Sequence, residues 1–218
     1  MDEYLYIIHS KINLNRNRSR LTTTAIKLSD KLEHGIEFSC QMCGDCCRGF
    51  NEGEVYIYQS DIFRLAKFFN LKRKSELKEF AKKHFKIIGD SFYWKGSREK
   101  FGRLYKFDTL GFKFTGNDEH CEFLDNNNRC TIHEARPFQC RAFPFWKMMV
   151  TSSKNLLDYA EKCKGLQMLK GKFYPCEEIL NWAEEEYEIE KIYFLEMKKN
   201  NFNIFKIYPF LPKSMLKL

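Results

Sequence analysis

Glycine and proline are both scarce in this chain, at 11 and 5 of 218 residues. Collagen-like and linker-like chains need far more of both, so these classes of protein are excluded. Hydrophobic residues make up 44% of the sequence and charged residues 30%, which is the ordinary balance of a globular protein. A chain of this length is expected to form one domain, or one domain with a small appendage.

Long apolar runs are absent as well. The uncharged stretches fall short of the ~18 apolar residues that a helix needs to span a bilayer. The chain opens with Met1-Asp2-Glu3, an acidic start unlike the basic beginning of a secretory signal. We therefore expect a cytoplasmic protein with no membrane partner.

Familiar catalytic motifs are also missing from the sequence. It has no recognisable Ser/His/Asp arrangement, no paired carboxylates at a catalytic spacing and no glycine-rich loop for phosphate. The residues alone therefore leave open whether the protein is an enzyme.

The charge balance is basic, with 37 Lys and Arg against 29 Asp and Glu, a formal net charge of +8. Such a charge is typical of proteins that bind nucleic acid or anionic surfaces. Thiolates of metal-bound cysteines would offset part of it, which argues against nucleic acid as the partner. The basic faces, including Arg16, Arg18 and Arg20, leave a protein partner as an open hypothesis.

Patterning predicts an α+β fold, with short strands and several helices around a cysteine-rich centre in a small single domain. An amphipathic helix is expected over Thr24 to Leu32, a strand over 54–58, and helices from Ser60 or Asp61 and after Ser75. Aromatic and polar residues over 91–114 favour a strand pair. A long C-terminal helix is expected from Pro175 to about Lys199.

Turn-forming residues 125–129 separate two short runs that begin with Cys121 and Cys130, which predicts a β-hairpin with a cysteine at the start of each arm. A single helical turn should end near Cys140. The expected organisation is an N-terminal extension packed on the domain (1–35), a cysteine-cluster domain (36–165), and a C-terminal helix with a basic aromatic tail (166–218).

Nine cysteines are too few for a secreted disulfide scaffold, which needs about 8 to 10% cysteine. Reduced, clustered thiols in a chain without an export signal are more often metal ligands. Four cysteines crowd into one loop and four more follow at longer intervals. The predicted metal ligands are Cys40, Cys43, Cys46, Cys47, Cys121, Cys130, Cys140 and Cys163.

The spacing of the four cysteines in the loop 40–47 indicates how they could bind metal. Thiolates three positions apart on a turn can converge on one ion, and Gly44 is expected to allow a tight turn there. Cys46 and Cys47 are adjacent, and neighbouring side chains usually diverge, so we expect them to serve different metals or different irons. The eight thiolates suit two zinc sites, two clusters, or one cluster with spare thiolates. Zinc and iron-sulfur both remain open, with the vicinal pair favouring iron-sulfur.

Residues near the cysteines are secondary candidates. Arg136 and Arg141 flank Cys140 and could offset thiolate charge. An aromatic group at 138–146 could exclude water or could simply be core packing. His133 and His120 are better explained as ordinary histidines than as ligands, and Cys176 as a spare thiol.

The segment Phe-Ser-Cys-Gln-Met-Cys-Gly-Asp-Cys-Cys-Arg-Gly at 38–49, with segments 121–124, 129–132 and 136–144, resembles the YkgJ-type cysteine-cluster family. That family is described as a CxxCxxCC domain that chelates zinc or iron. The resemblance covers roughly residues 36–165 and ends at Cys163-Lys164-Gly165. It implies a metal-binding protein that holds zinc or an iron-sulfur cluster. One departure from the family is His133, three residues after Cys130, where the family more often has Tyr.

Three functional classes stay open. The first is a metal-binding protein, and the second is a zinc-stabilised interaction module. The third is an enzyme that uses the cluster for redox or methyl-transfer chemistry, since some relatives resemble flagellin lysine-N-methylases that use S-adenosylmethionine. The sequence lacks a glycine-rich strand-to-helix turn for a nucleoside cofactor, so that activity is not assigned.

Overall fold

The protein is described here from a computed structural model, which covers residues 26–51, 53–97, 99–117, 119–168 and 170–216. It mixes helices with small antiparallel sheets, which confirms the α+β class. The helices are α1 (Gln59–Phe68), α2 (Lys74–His84), α3 (Phe138–Ala142), α4 (Lys147–Val150), α5 (Ser153–Lys162), α6 (Lys164–Gln167), α7 (Cys176–Lys199) and α8 (Ile204–Ile207). The strands are β1 (Ile36–Phe38), β2 (Tyr56–Ile57), β3 (Phe85–Trp94), β4 (Arg103–Phe112), β5 (Phe114–Thr115), β6 (His120–Cys121) and β7 (Lys172–Tyr174).

The described chain divides into two compact units. The first, called here the hairpin unit, comprises residues 56–113 and 189–216. The second, the cysteine unit, comprises residues 26–55 and 114–188. The division at 35 and 165 expected from the sequence stays a prediction.

The hairpin unit is built on a sheet of order β2-β4-β3. The long strands β3 and β4 pair from Phe85 with Phe112 to Trp94 with Arg103. Because side chains alternate along a strand, Phe92 and Phe107 lie on the face that packs against Phe194 of α7. Phe92 and Phe194 stack with ring centroids 5.0 Å apart. The predicted strand pair is confirmed, and it starts at Phe85 rather than at 91.

The cysteine unit has a separate apolar core. Its two-stranded sheets pair β1 with β7 and β5 with β6. Its buried core includes Leu32, Phe38, Phe145, Met149, Val150, Leu156, Cys163, Leu166, Ile179 and Ala183. This core therefore contains one of the predicted ligands, Cys163, and is adjacent in sequence to another, because Phe38 lies two residues before Cys40.

Several sequence predictions differ locally from the structure. The described part of the helix predicted over 24–32 contains a 3₁₀ turn at Asp30–Leu32, because Ser29 is the N-cap: its hydroxyl accepts a hydrogen bond from Lys31 N, so the turn begins only at Asp30. Residues 24 and 25 and the arginines 16, 18 and 20 lie outside the described residues. The predicted long C-terminal helix is confirmed as α7.

Two further observations concern the start of α1 and the length of the apolar helices. Helix α1 begins at Gln59, so the predicted starting positions Ser60 and Asp61 lie inside its first turn, where the buried Asp61 accepts a hydrogen bond from Tyr58 N at 3.1 Å. Across the ranges that the structure describes, no helix has the length and apolarity to cross a membrane.

Candidate metal centre

The loop 40–47 follows β1 and ends in a 3₁₀ turn, Cys46–Asn51. Gly44 has φ +83°, and a Cβ there would lie 2.3 Å from Nη1 of Arg48. The backbone N–H of Arg48 donates to the carbonyls of Gly44 and Asp45, each at 3.1 Å. The predicted tight turn at Gly44 is confirmed, and it folds the loop back on itself between the cysteines.

The adjacent thiols of this loop act on each other. The side chains of Cys46 and Cys47 are hydrogen-bonded to each other. That hydrogen bond raises the pKa of Cys46, and burial and the charge of Cys47 raise it further, whereas Arg136 lowers it.

The loop is held against the segment that carries Cys121 and Cys130. Nη2 of Arg48 donates to Oδ1 of Asn128 at 3.2 Å. The 3₁₀ turn also packs on β6, with Cα atoms of the two elements within 8 Å. Two of the predicted ligands, Cys46 and Cys121, therefore lie on elements in direct contact.

The hairpin predicted around residues 125–129 is shorter than expected. Its arms form one antiparallel bridge, between Leu124 and Cys130. Cys121 instead pairs with Phe114 in the β5–β6 sheet. Oδ1 of Asp125 accepts hydrogen bonds from Asn127 N and Arg129 N, both at 2.8 Å, and these bonds shape the turn in place of a longer ladder.

Cys140 lies on the short helix α3, which confirms the predicted helical turn. Its neighbour Gln139 donates from Nε2 to the carbonyl of Glu54 at 3.0 Å, and the indole of Trp146 donates to Gln139 O at 2.8 Å. The first bond ties α3 to the chain that leaves the cysteine loop. No sequence pattern indicated this role for Gln139.

Cys163 is buried between α5 and α6 in the apolar core. A Cβ on Gly165 would lie 2.5 Å from the carbonyl oxygen of Ser39. Only glycine therefore allows this approach, and it places the Cys163 segment beside the residue that precedes Cys40. Cys176, exposed at the start of α7, lies apart from these contacts.

The electrostatics reflect the proximity of the thiols. Burial raises the pKa of Cys121 to about 12, and the charges of Cys130, Glu122 and Cys46 add to the shift. Burial is also the largest cause of the raised pKa values of Cys130, Cys140 and Cys163, and in all three the charge of Cys46 contributes. For Cys43, burial again raises the pKa, and its charged neighbours are Asp45 and Cys46.

This donor set fits a thiophilic metal. Buried thiolates that repel one another need a nearby cation, and a bound metal deprotonates its cysteine ligands outright. Thiolates select zinc, Cu(I) and iron-sulfur clusters. Yet within the described ranges no group of three or more His, Cys, Asp or Glu residues has the spacing to hold one metal ion. The structure thus brings the cysteine segments together without arranging a coordination sphere.

The two arginines differ in position. The charge of Arg136 lowers the pKa of Cys46, Cys130 and Cys140, although in none of them is it the largest influence. The guanidinium of Arg141 lies over the Phe138 ring, with Cζ 5.4 Å from its centroid, and its Nε donates to Arg136 O at 3.2 Å. Arg136 therefore acts electrostatically on three of the predicted ligands.

The aromatic group at 138–146 belongs to the core. Phe145 is 3% exposed within the apolar cluster, and Phe143 and Trp146 pack against it. Phe138 packs against Trp182 of α7, with centroids 5.7 Å apart. Cys163, one of the predicted ligands, belongs to the same cluster as Phe145.

His133 is exposed. The charge of Arg136 is the largest cause of its lowered pKa, and partial burial lowers that pKa further. His120 stands in β6 beside Cys121, where it pairs with Thr115. Neither histidine belongs to a metal-binding group within the described part of the chain.

The comparison with known protein families gives one finding. The model of the CxxCxxCC family, described as a "putative zinc- or iron-chelating domain", matches residues 39–164, which is more than half of the chain. These bounds run from the residue before Cys40 to the residue after Cys163. No solved structure matches the chain. The protein therefore belongs to the CxxCxxCC family, which supports metal binding by this chain.

Proposed function

We propose that this protein is a cytosolic metal-binding protein that holds an iron-sulfur centre. The ligands would come from Cys40, Cys43, Cys46, Cys47, Cys121, Cys130, Cys140 and Cys163. When bound, such a centre supplies electron-transfer or Lewis-acid chemistry.

The convergence of distant segments is the observation that supports this proposal. Arg48 binds Asn128, Gln139 binds Glu54, and Gly165 packs on Ser39. Each of these contacts joins the loop 40–47, or a residue close to it, to a segment with a cysteine from later in the chain. Eight thiols are therefore concentrated in one compact unit.

The number and spacing of the thiols favour iron-sulfur over zinc. A structural zinc ion takes four ligands, commonly from two C-x₂-C pairs. Here one loop carries four cysteines, two of them adjacent and hydrogen-bonded, and the other four are single residues on separate elements. Uneven spacing of this kind suits ligands of successive irons.

The rest of the site would tune such a centre. Arg136 supplies positive charge to three of the cysteines, which offsets the negative charge of thiolates. The apolar cluster around Cys163 would limit access of water, a property that affects reduction potential.

The decisive experiment is purification without oxygen, followed by a visible spectrum and assays of iron, zinc and acid-labile sulfide per chain. We expect brown protein with iron and sulfide. Colourless protein with one or two zinc ions would refute the iron-sulfur centre and would favour a zinc-stabilised interaction module. Protein without bound metal, after expression with both metals supplied, would refute metal binding itself.

Single cysteine variants test the ligand set. Cys121→Ser and Cys140→Ser should each lose most of the metal and sulfide, because both residues are single ligands from separate elements. Cys176→Ser is the matched control, since this thiol is exposed and apart from the cysteine segments. Equal metal content in all three variants would contradict the proposed ligands.

A further inference from the structure

One face of the β3–β4 hairpin is open to solvent near the loop that joins the two strands. Residues directly opposite each other in the ladder lie on the same face, and neighbours along a strand alternate between faces. Phe92 and Phe107 therefore mark the face that packs against α7. The other face, called here the outer face, carries the pairs Gly89 with Asp108, Ser91 with Lys106 and Tyr93 with Leu104, all of them exposed. The acid among them, Asp108, lies at the end furthest from the loop.

Tyr93 presents a supported aromatic ring on this outer face. Its side chain is 65% exposed. The ring rests against Gly102, because a Cβ on that glycine would lie 2.5 Å from both Cζ and the hydroxyl oxygen of Tyr93. Any larger residue at position 102 would push the ring away from the backbone. A ring that is supported on one side and open to solvent is a platform on which a flat group can stack.

Three lysines lie at the same end of the hairpin. Lys106 is on the outer face, and Lys95 and Lys100 are in the loop that joins β3 to β4. None of the three forms an ion pair with another described residue. The acid of the loop, Glu99, is held within the loop, since its Oε2 accepts a hydrogen bond from Gly96 N at 3.0 Å. The positive charge of the three lysines is therefore available to a partner.

The hairpin unit as a whole is basic. Lys and Arg outnumber Asp and Glu by more than two to one over 56–113 and 189–216, whereas Asp and Glu predominate over 26–55 and 114–188. Metal-bound thiolates would offset charge in the cysteine unit only, because the hairpin unit contains no cysteine. The excess of positive charge thus belongs to the unit that carries the outer face, and it favours a polyanionic partner.

An exposed ring beside lysines fits a single strand of nucleic acid better than a membrane surface. The bases of a single strand are free to stack on aromatic rings, while its phosphates pair with basic side chains. The loop 95–100 reads Lys-Gly-Ser-Arg-Glu-Lys, and such charged groups are costly to insert among lipid acyl chains. Phosphates of a nucleic acid stay in water, so the same loop can bind them without leaving solvent.

We propose that the outer face binds a single strand of nucleic acid without sequence preference. One base stacks on Tyr93, and phosphates pair with Lys95, Lys100 and Lys106. The strand can pass close to the sheet at Gly89, because no heavy atom other than those of its chain neighbours lies within 4 Å of the position that a Cβ would take there. The proposal is independent of the metal centre, since no cysteine takes part in it.

The test uses the full chain and a fluorescein-labelled thymidine decamer, with binding followed by fluorescence anisotropy. Three phosphate contacts predict that the affinity falls about twentyfold between ~50 and ~200 mM salt. An abasic decamer has the same phosphates without bases and should bind about tenfold more weakly. Equal binding of the two strands, or no saturable binding of the thymidine strand, would overturn the proposal. Binding to phosphatidylserine vesicles without binding to the thymidine strand would overturn it in favour of a membrane surface.

Variants locate the site. Tyr93→Ala should weaken binding of the thymidine strand about tenfold and leave the abasic strand unchanged, and Gly102→Ala should weaken the same interaction by displacing the ring. Lys106→Gln should weaken binding of both strands and reduce its dependence on salt. Phe173→Ala and Lys154→Gln are the matched controls, since both residues are exposed in the cysteine unit. Circular dichroism checks that the variants are folded. Unchanged binding by folded Tyr93→Ala, or an equal loss in Phe173→Ala, would reject this face.

Discussion

At the scale of single residues, Glu186 shows how burial changes a carboxyl group. Its Oε2 atom accepts a hydrogen bond from Lys147 N at 2.5 Å. Burial raises the pKa of Glu186 to about 7, against the opposing effects of the Lys147 backbone N–H and ammonium group. In the unfolded chain a glutamate titrates near ~4.3. The folded state therefore binds this proton more tightly than the unfolded state does.

This difference predicts a pH dependence of stability. The stabilising contribution of protonated Glu186 should be complete below pH ~4.3 and should be lost as pH rises to about 7, a change of up to about 4 kcal/mol. Glu186→Gln should remove this dependence and make the protein more stable at pH 8 than the wild type. Urea unfolding between pH 5 and 8 measures the effect. Glu177→Gln on the exposed first turn of α7 is the control, and a Glu186→Gln profile parallel to the wild type would contradict the prediction.

Arg136 and Arg141 give a second residue-scale prediction. Arg136→Gln should weaken metal retention against a chelator, because it removes positive charge that acts on three cysteines. Arg141→Gln should retain metal like the wild type, since its guanidinium lies over Phe138. Release of metal to a coloured chelator, measured without oxygen, compares them. Faster release of metal from Arg141→Gln than from Arg136→Gln would contradict the electrostatic role given to Arg136.

At the scale of elements, the sequence predicted the helices whose ends are set by residues close in the chain. Helix α7 follows Pro175, has Glu177 and Glu178 in its first turn and ends with two lysines, and it formed as expected. The strand pair was expected from residue 91, but β3 begins at Phe85, because the pairing of Phe85 with Phe112 is a long-range contact. Local sequence patterns could not predict the pairing of β1 with β7 either, because the two strands are far apart in the chain.

The same limit applies to the candidate centre. The eight cysteines could be selected from their spacing and family resemblance. The contacts that join their segments could not, because Arg48 to Asn128 and Gln139 to Glu54 depend on tertiary packing. The interaction between Cys46 and Cys47 that raises the pKa of Cys46 could not be predicted from their adjacency either, and their division between metals stays a prediction.

Two glycines provide a matched test at this scale. Gly165→Ala should destabilise the protein by about 1 to 3 kcal/mol, because a methyl group would lie 2.5 Å from Ser39 O and force apart the segments of Cys40 and Cys163. Gly89→Ala adds the same group in open space and should be neutral or slightly stabilising. Chemical unfolding measures both variants. Equal free energies of unfolding for the two variants would mean that the chain relieves the clash between the added methyl group at position 165 and the Ser39 carbonyl without losing stability.

At the scale of the whole molecule, the cysteines are unevenly distributed. All nine lie in the cysteine unit, whereas the hairpin unit has its own aromatic core around Phe92, Phe107 and Phe194. Metal binding should therefore stabilise one unit directly and the other little.

Metal removal should reveal this division. After chelation under reducing conditions, hydrogen exchange should accelerate in β1, β6 and α3, while the amides of β3 and β4 stay protected. Mass spectrometry of peptides from the exchanged protein reads both regions in one sample. Equal loss of protection in both units would show that they unfold together.

The placement of residues 56–113 between the cysteine loop and Cys121 also sets an order of events during synthesis. The first four thiols leave the ribosome well before Cys163 does, and at ordinary elongation rates the interval is on the order of ten seconds. Ligands from the later segments do not yet exist during that time. The cell must therefore keep the early thiols reduced and free of the wrong metals until the chain is nearly complete.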